Sequence, residues 1–232
     1  HRTLQGLSLL HWIPYPLKGY SCGIALLECT YNDGLPERYQ VPLAWVPKPG
    51  DDDTLEVPET AILAGLQKNG VEGYLIDAFF LDSWQRSLVR KLSGNRTLEA
   101  QGGKLHFNSG RKALEGQAAE LQPKIAEDPS HSALEFGDRY YLKLYRKLDD
   151  TINPDLEISR FLSEKTSFAQ VPAFRGSVTF KKGAHTELAL GLLQEKVPYQ
   201  ESGWDYARDA FRRYMEEVRT HMWDIQHPKG LP

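Results

Sequence analysis

Cysteine is scarce: Cys22 and Cys29 are the only two among 232 residues, too few for a disulfide framework. Their spacing sets them on opposite faces of one strand, and a reducing, cytosolic setting is the simpler reading. No run of residues nears the ~20 apolar positions that cross a bilayer. The opening HRTLQGLSLLHWIPYP lacks the small-residue cleavage site of a secretory signal, so neither membrane insertion nor export is expected. Beyond Asp51-Asp52-Asp53 no block of one charge occurs. The 28 basic and 31 acidic side chains sum to −3, without the basic footprint of a nucleic-acid binder. Internal repeats and low-complexity segments are absent too. The chain opens on His1 rather than Met, which reads as a piece of something longer.

What is present suits a globular protein. A hydrophobic share of 41% with 25% charged residues is enough to build a core without staples, and the length fits one large domain or two small ones. GIALLECTY and RYQVPLAWV flank NDGLPE, whose Asn32-Asp33-Gly34 has turn chemistry, which predicts an antiparallel hairpin. In its second strand Tyr39, Val41, Leu43 and Trp45 share a face expected to be buried. Pro42 cannot donate to a ladder, which suggests an edge strand. GYLIDA reads as a further strand. In FFLDSWQRSLVRKLSG, Phe80, Trp84, Leu88 and Leu92 recur at helical spacing and Gly94 ends the run. A helix against antiparallel strands makes the fold class α+β.

A boundary is expected near Asn95–Gly103, giving subdomains 1–101, 102–200 and 201–232. GGKLHF reads as a strand, and GRKALEGQAAELQP as a short Ala-rich helix stopped by Pro123. SALEFGDRYYLKLYRKL reads as a hairpin turning at Gly137-Asp138. NPDLEISRFLSE starts like a helix, with Asn153 as cap, Pro154 in the first helical position and Asp155 near the positive end of the dipole. Ile158, Phe161 and Leu162 would be its apolar stripe. A second hairpin turns at Lys182-Gly183. Ser202 would cap a last helix on which Trp204, Ala207, Phe211, Tyr214, Val218 and Met222 keep helical spacing.

The apolar strand around Lys143 raises the functional question. Tyr141, Lys143 and Tyr145 share one face and Leu142 and Leu144 the other, so the lysine points away from the leucine layer. Glu157 lies at the margin of the following helix's stripe. A helix carboxylate packed over a strand can hold a lysine ammonium at a fixed point, which is how protein kinases place a cation on nucleotide phosphates. A snorkelling lysine and a solvated glutamate would have the same spacing. Spacing alone leaves both open.

The string DPSHSALEFGDRYYLKLYRKLDDTINPDLEISRFLSE, followed by FAQVPAFRGSVTF and LALGLLQEKVPYQESGW, resembles maltokinase, the kinase-like enzyme often fused to bacterial trehalose synthase. The shared elements are the lysine strand at Lys143, Asn153 to Glu157, Val171-Pro172, and Leu192-Leu193-Gln194 running into Val197-Pro198. YNDGLPERYQVPLAW is similar to that family's cap hairpin. The resemblance implies a cap subdomain followed by a kinase-like intermediate subdomain that binds ATP. Lys143 would contact the phosphates and Glu157 would orient it. Ser130, His131 and Ser132 would turn over the phosphates, and the backbone at Glu195, Lys196 and Val197 would meet adenine. The chain departs from the family pattern at Pro129 and His131, where Gln and Asn are usual, and the proline removes an amide donor.

The catalytic aspartate and the Mg2+ ligands of this family lie in His-Gly-Asp and Asp-Phe-Glu-like motifs, and neither string occurs here. The resemblance therefore implies the amino-terminal part of an ATP:maltose 1-phosphotransferase, without catalytic residues of its own. Its partners would be its own carboxy-terminal lobe, trehalose synthase, and maltose as substrate. Two other readings stay open: a non-catalytic docking module for trehalose synthase, and the small lobe of a kinase for another alcohol, such as an aminoglycoside or choline. His221 and His227, with Asp224 between them, sit on different helix faces and do not read as a metal set. GGKLHFNSG lacks the glycine order of a dinucleotide site.

Overall fold

The computed structural model describes residues 2–50, 55–110, 114, 121–126, 131–149, 151–183 and 186–226. The chain divides into two compact units, His1–Lys196 and Val197–Pro232.

Two antiparallel sheets build the larger unit. The first contains β1 (Leu4–Pro14), β2 (Ser21–Tyr31), β3 (Glu37–Pro47), β4 (Ile62–Lys68) and β5 (Val71–Asp77) in the order β1-β2-β3-β5-β4. The second contains β6 (Thr97–Ala100), β7 (Gly103–Ser109), β8 (Pro123–Ala126), β9 (Ser132–Phe136), β10 (Tyr140–Leu144), β12 (Phe174–Lys182) and β13 (Thr186–Glu195), in the order β6-β7-β12-β13-β10-β9-β8. The two-residue β11 (Lys147–Leu148) leaves the second sheet's neighbourhood to pair with β3. Helix α1 (Asp82–Ser93) packs on β7, β8 and β12. Its Trp84, Leu88 and Leu92 are buried as the spacing predicts, and Gly94 closes it by donating to Arg90 O. The inner faces of both sheets and α1 enclose one core, in which Ile24, Leu26, Ile76, Phe107, Phe136, Leu142 and Leu193 meet.

The first hairpin forms where the turn signal lies, but its buried face is the opposite of the expected one. Gln40, Pro42, Ala44 and Val46 point inward, while Tyr39, Val41, Leu43 and Trp45 stay half-buried outside. Pairing explains this: Pro42 and Gln40 sit across from Ile24 and Leu26, and Ala44 sits across from Ile76, so the even positions complete the inner layer. Buried Gln40 spans to the second sheet, donating through Nε2 to Tyr145 O at 2.9 Å and also to Leu190 O. Nor is β3 an edge strand, since it is flanked by β2 and β5. On the side shared by β11 and β5, pairing stops at Tyr39 and resumes at Leu43, and Pro42 occupies the interval.

Helix α2 (Pro154–Lys165) begins as expected, with Asn153 Oδ1 accepting from Leu156 N at 3.1 Å and proline in the first turn. Its expected stripe is not buried: Ile158 is 55% and Phe161 57% exposed. Leu156 instead packs against the core, because α2 lies across β12 and β13 at a shallow contact that takes in little of the helix. The expected Ala-rich helix falls mostly outside the described residues, as do Pro129 and Ser130.

In the smaller unit, α3 (Gly203–Gln226) is capped by Ser202, whose Oγ accepts from Asp205 N at 3.1 Å. Arg208 pairs with Asp205 and Arg212 with Asp209. Trp204, Phe211 and Tyr214, all on the expected aromatic stripe, are exposed.

Candidate functional site

Lys143 lies on β10 between Leu142 and Leu144, both of which are buried in the core. The register runs Lys143–Leu192 to β13 and Leu192–Ser177 to β12, so these three share one face of the sheet. The neighbouring Gly176 faces the other way, where an added Cβ would stand 3.3 Å from Leu92 of α1. Helix α1 thus covers one side of the sheet and α2 the other, and Lys143 points to the α2 side.

The carboxylate that holds the ammonium there is Asp155, with Lys143 Nζ 3.0 Å from Asp155 Oδ2. The same oxygen accepts from Tyr145 Oη at 3.0 Å. Burial, followed by the charge of Asp155, pushes the Tyr145 phenol well above its ordinary range, so it stays a donor. The His131 ring stands edge-on to Tyr145 at 5.6 Å between centroids. Lysine, tyrosine and aspartate form a partly solvated cluster at the start of α2.

Glu157 is not the lysine's partner. Two residues along a helix turn the side chain by ~200°, so when Asp155 faces Lys143, Glu157 looks the other way. It lines a cleft of about 650 Å³ between α2 and strands β12 and β13, together with Asn153, Phe161, Ser177, Thr179 and Glu187. Lys143 is not on the wall of this cleft. Sequence reasoning gave Asp155 only a helix-dipole role. The missed signal was its place in the first turn, where a side chain overhangs the strand that precedes the helix.

The remaining expected residues fall into three places. Ser132 Oγ accepts from Arg146 Nε at 2.7 Å, and Arg146 also pairs with Asp77 at 2.7 Å, so Ser132 helps to tie the two sheets together. Ser130 lies outside the described residues. At the end of β13, Glu195 pairs with Arg175 at 3.0 Å and Lys196 with Glu135 at 3.1 Å. The amides of Glu195 and Lys196 are committed to Ala173 O and Arg139 O, and Val197 is exposed. Among the described residues no group of three His, Cys, Asp or Glu side chains is placed to hold a metal ion, and no helix is long and apolar enough to cross a membrane.

No protein-family model matches the chain. Among solved structures it is similar to a glucosamine kinase in complex with glucosamine, ADP and inorganic phosphate, with a TM-score of 0.51 and 16% identity over 90% of this chain. It is likewise similar to crystal form A of glucosamine kinase, with a TM-score of 0.51 and 16% identity over 92% of this chain. The chain spans 40% of the length of each of these kinases. At this identity the likeness is one of fold, an α+β arrangement of antiparallel sheets with packed helices.

Proposed function

We propose that His1–Lys196 is the ATP-binding lobe of a sugar phosphotransferase, and that the sugar is maltose, giving maltose 1-phosphate. The observation that carries this reading is Lys143 fixed on the sheet face by Asp155, within a chain that shares its fold with a sugar kinase. A strand lysine steadied by a helix carboxylate is a point cation suited to phosphate oxygens. In this reading Lys143 neutralises ATP phosphates and Asp155 and Tyr145 orient it. Ser130, His131 and Ser132 border the phosphates, and the segment Glu195, Lys196 and Val197 meets adenine. Chemistry also needs an aspartate to accept the proton of the anomeric hydroxyl, and acidic or amide ligands for Mg2+. Both are assigned to a carboxy-terminal lobe outside this sequence. Trehalose synthase is the proposed macromolecular partner, a reading supported by the exposed Leu4, Leu7 and Leu9 of β1.

The test is to incubate residues 1–232 with Mg-ATP and maltose beside a longer chain carrying a His-Gly-Asp loop. Maltose 1-phosphate is expected from the longer chain alone, with weak ATP binding by the shorter one that Lys143→Ala removes. Product from the shorter chain would place the active site elsewhere. A longer chain that phosphorylates another sugar and not maltose would keep the kinase and remove the substrate.

A further inference from the structure

We propose that the outer face of the first sheet carries a second ligand site, a cleft floored by Trp12 and Trp45 that takes the pyranose rings of a neutral sugar chain. A sheet with one face on the core is expected to be polar on the other. Here the outward positions include Leu27, Val41, Leu43, Trp45 and Leu75.

The two indoles are seated on glycines. A Cβ on Gly23 would stand 2.2 Å from Trp12 Cζ2, and one on Gly73 would stand 2.8 Å from Trp45 Cε2. Each ring can lie over its neighbouring strand only because those positions carry no side chain. Trp12 remains 41% exposed in that pose, an unusual solvent exposure for so large an apolar ring. The segment from Pro14 to Tyr20 stands beside them as a wall, and the open cleft of about 770 Å³ is lined by Trp12, Leu43, Trp45, Leu75, Tyr20 and Lys18, among others. Its size and apolar lining are those of a small-molecule site.

The polar groups sit at the rim. Lys68 donates to Ser21 Oγ, which lines the cleft, and holds its ammonium over the Trp45 ring, 5.3 Å from its centre. Tyr20 Oη donates to Glu56 Oε2 at 3.0 Å. A pyranose matches this layout: one ring face presents polarised C–H bonds to the electron-rich indole face, while its hydroxyls point outward to ammonium, hydroxyl and carboxylate groups. Rim charges of both signs favour a neutral ligand over a phosphorylated one. Neither Lys143 nor Asp155 lines this cleft, so the site is separate from the proposed nucleotide site.

The experiment is saturation-transfer NMR and tryptophan-fluorescence titration of residues 1–232 with maltotriose and cellotriose. Sorbitol, an acyclic polyol with hydroxyls but no ring, is the control. Saturable binding of a trisaccharide and not of sorbitol is expected. Trp12→Ala and Trp45→Ala should each weaken it by about tenfold, with Trp12→Phe keeping most of the affinity and Lys143→Ala changing nothing. The proposal is overturned if neither trisaccharide binds the unaltered protein, if sorbitol binds equally, or if binding survives without change in a folded variant carrying both Trp12→Ala and Trp45→Ala. Concentration-dependent self-association that Trp12→Phe relieves, without sugar binding, would make the face a protein contact and would overturn it as well. Loss of ATP binding in Lys143→Ala with sugar binding intact keeps the two sites distinguishable.

Discussion

At the scale of single residues, the informative substitution in the chain is a lysine where a leucine would have packed. Lys143 costs the strand no core contact, because its neighbours Leu142 and Leu144 fill the inner layer. Its own side chain is held at 3.0 Å by an aspartate that also takes a tyrosine hydroxyl. An ion pair this exposed contributes only ~0–1 kcal/mol, so its value lies in position. Asp155→Ala is therefore expected to weaken ATP binding by no more than about fivefold, since the ammonium remains and loses only its anchor. Lys143→Ala should abolish measurable binding, and Glu157→Ala should leave it unchanged. Titration of a fluorescent ATP analogue into the three variants checks the order. A larger loss from Glu157→Ala than from Asp155→Ala would mean that the helix turns on binding to present the glutamate. The sequence showed which face Lys143 takes, because strand alternation fixes it. It did not show which carboxylate meets it, because that depends on the rotation of α2 about its own axis, and the weakly buried stripe leaves that rotation undetermined by pattern.

At the scale of elements, one carboxylate joins segments far apart in the chain. Glu37, at the start of β3, accepts from Arg2 at 2.7 Å, from Lys147 of β11 at 2.8 Å and from Tyr39 Oη at 2.5 Å. Those three donors, Lys147 foremost, then Tyr39 and Arg2, hold its carboxyl at about 2, below the ~4.3 of an unfolded glutamate. A depressed carboxyl stabilises the fold above its unfolded pKa, and that contribution fades as pH falls toward its folded one. Urea midpoints measured between about pH 5 and pH 2 should therefore drop more steeply for the native protein than for Glu37→Gln, which has no charge to lose. Parallel curves would show that Glu37 is not a clamp. None of this was legible beforehand, since Arg2 and Lys147 meet at Glu37 only once β11 crosses to the first sheet. Helix α1 was legible throughout, because Trp84, Leu88 and Leu92 are buried on the stripe their spacing marks. The β3 face was misread for the opposite reason: apolar residues occupy both of its faces, so alternation had nothing to distinguish. The inward side was decided by what Ile24, Leu26 and Ile76 required opposite them, and Gln40 met that requirement through hydrogen bonds.

At the scale of the molecule, the question is whether the first hundred residues are an accessory or part of the same folding unit. Contacts from both sheets argue for one unit. Gln40 of the first sheet is buried and donates to Tyr145 O and Leu190 O, so its removal would strand Tyr145 O in the interior, while Leu190 O keeps the bond from Tyr145 N. Arg146 extends the link, pairing with Asp77 at 2.7 Å, donating to Ser132 and stacking 5.2 Å from the Phe79 ring centre. Tyr15 of the amino-terminal segment bonds Ser87 of α1 at 2.5 Å and packs edge-on to Phe107 of the second sheet. A layer joined in this way transmits a local loss to both sheets. Gln40→Ala is accordingly expected to cost ~1–3 kcal/mol, the usual penalty of buried groups left unpaired. Hydrogen exchange should show amides of β2 and of β13 losing protection together and by similar amounts. Urea denaturation of residues 1–196 should run as one transition, with tryptophan fluorescence and far-ultraviolet circular dichroism coincident. Two separated transitions, or lost protection confined to β2 and β3, would make the first sheet an independent module. A chain lacking residues 1–101 would in that case fold and bind ATP unaided; on the single-unit reading it exposes Phe107, Leu142 and Leu193 to water and does not fold.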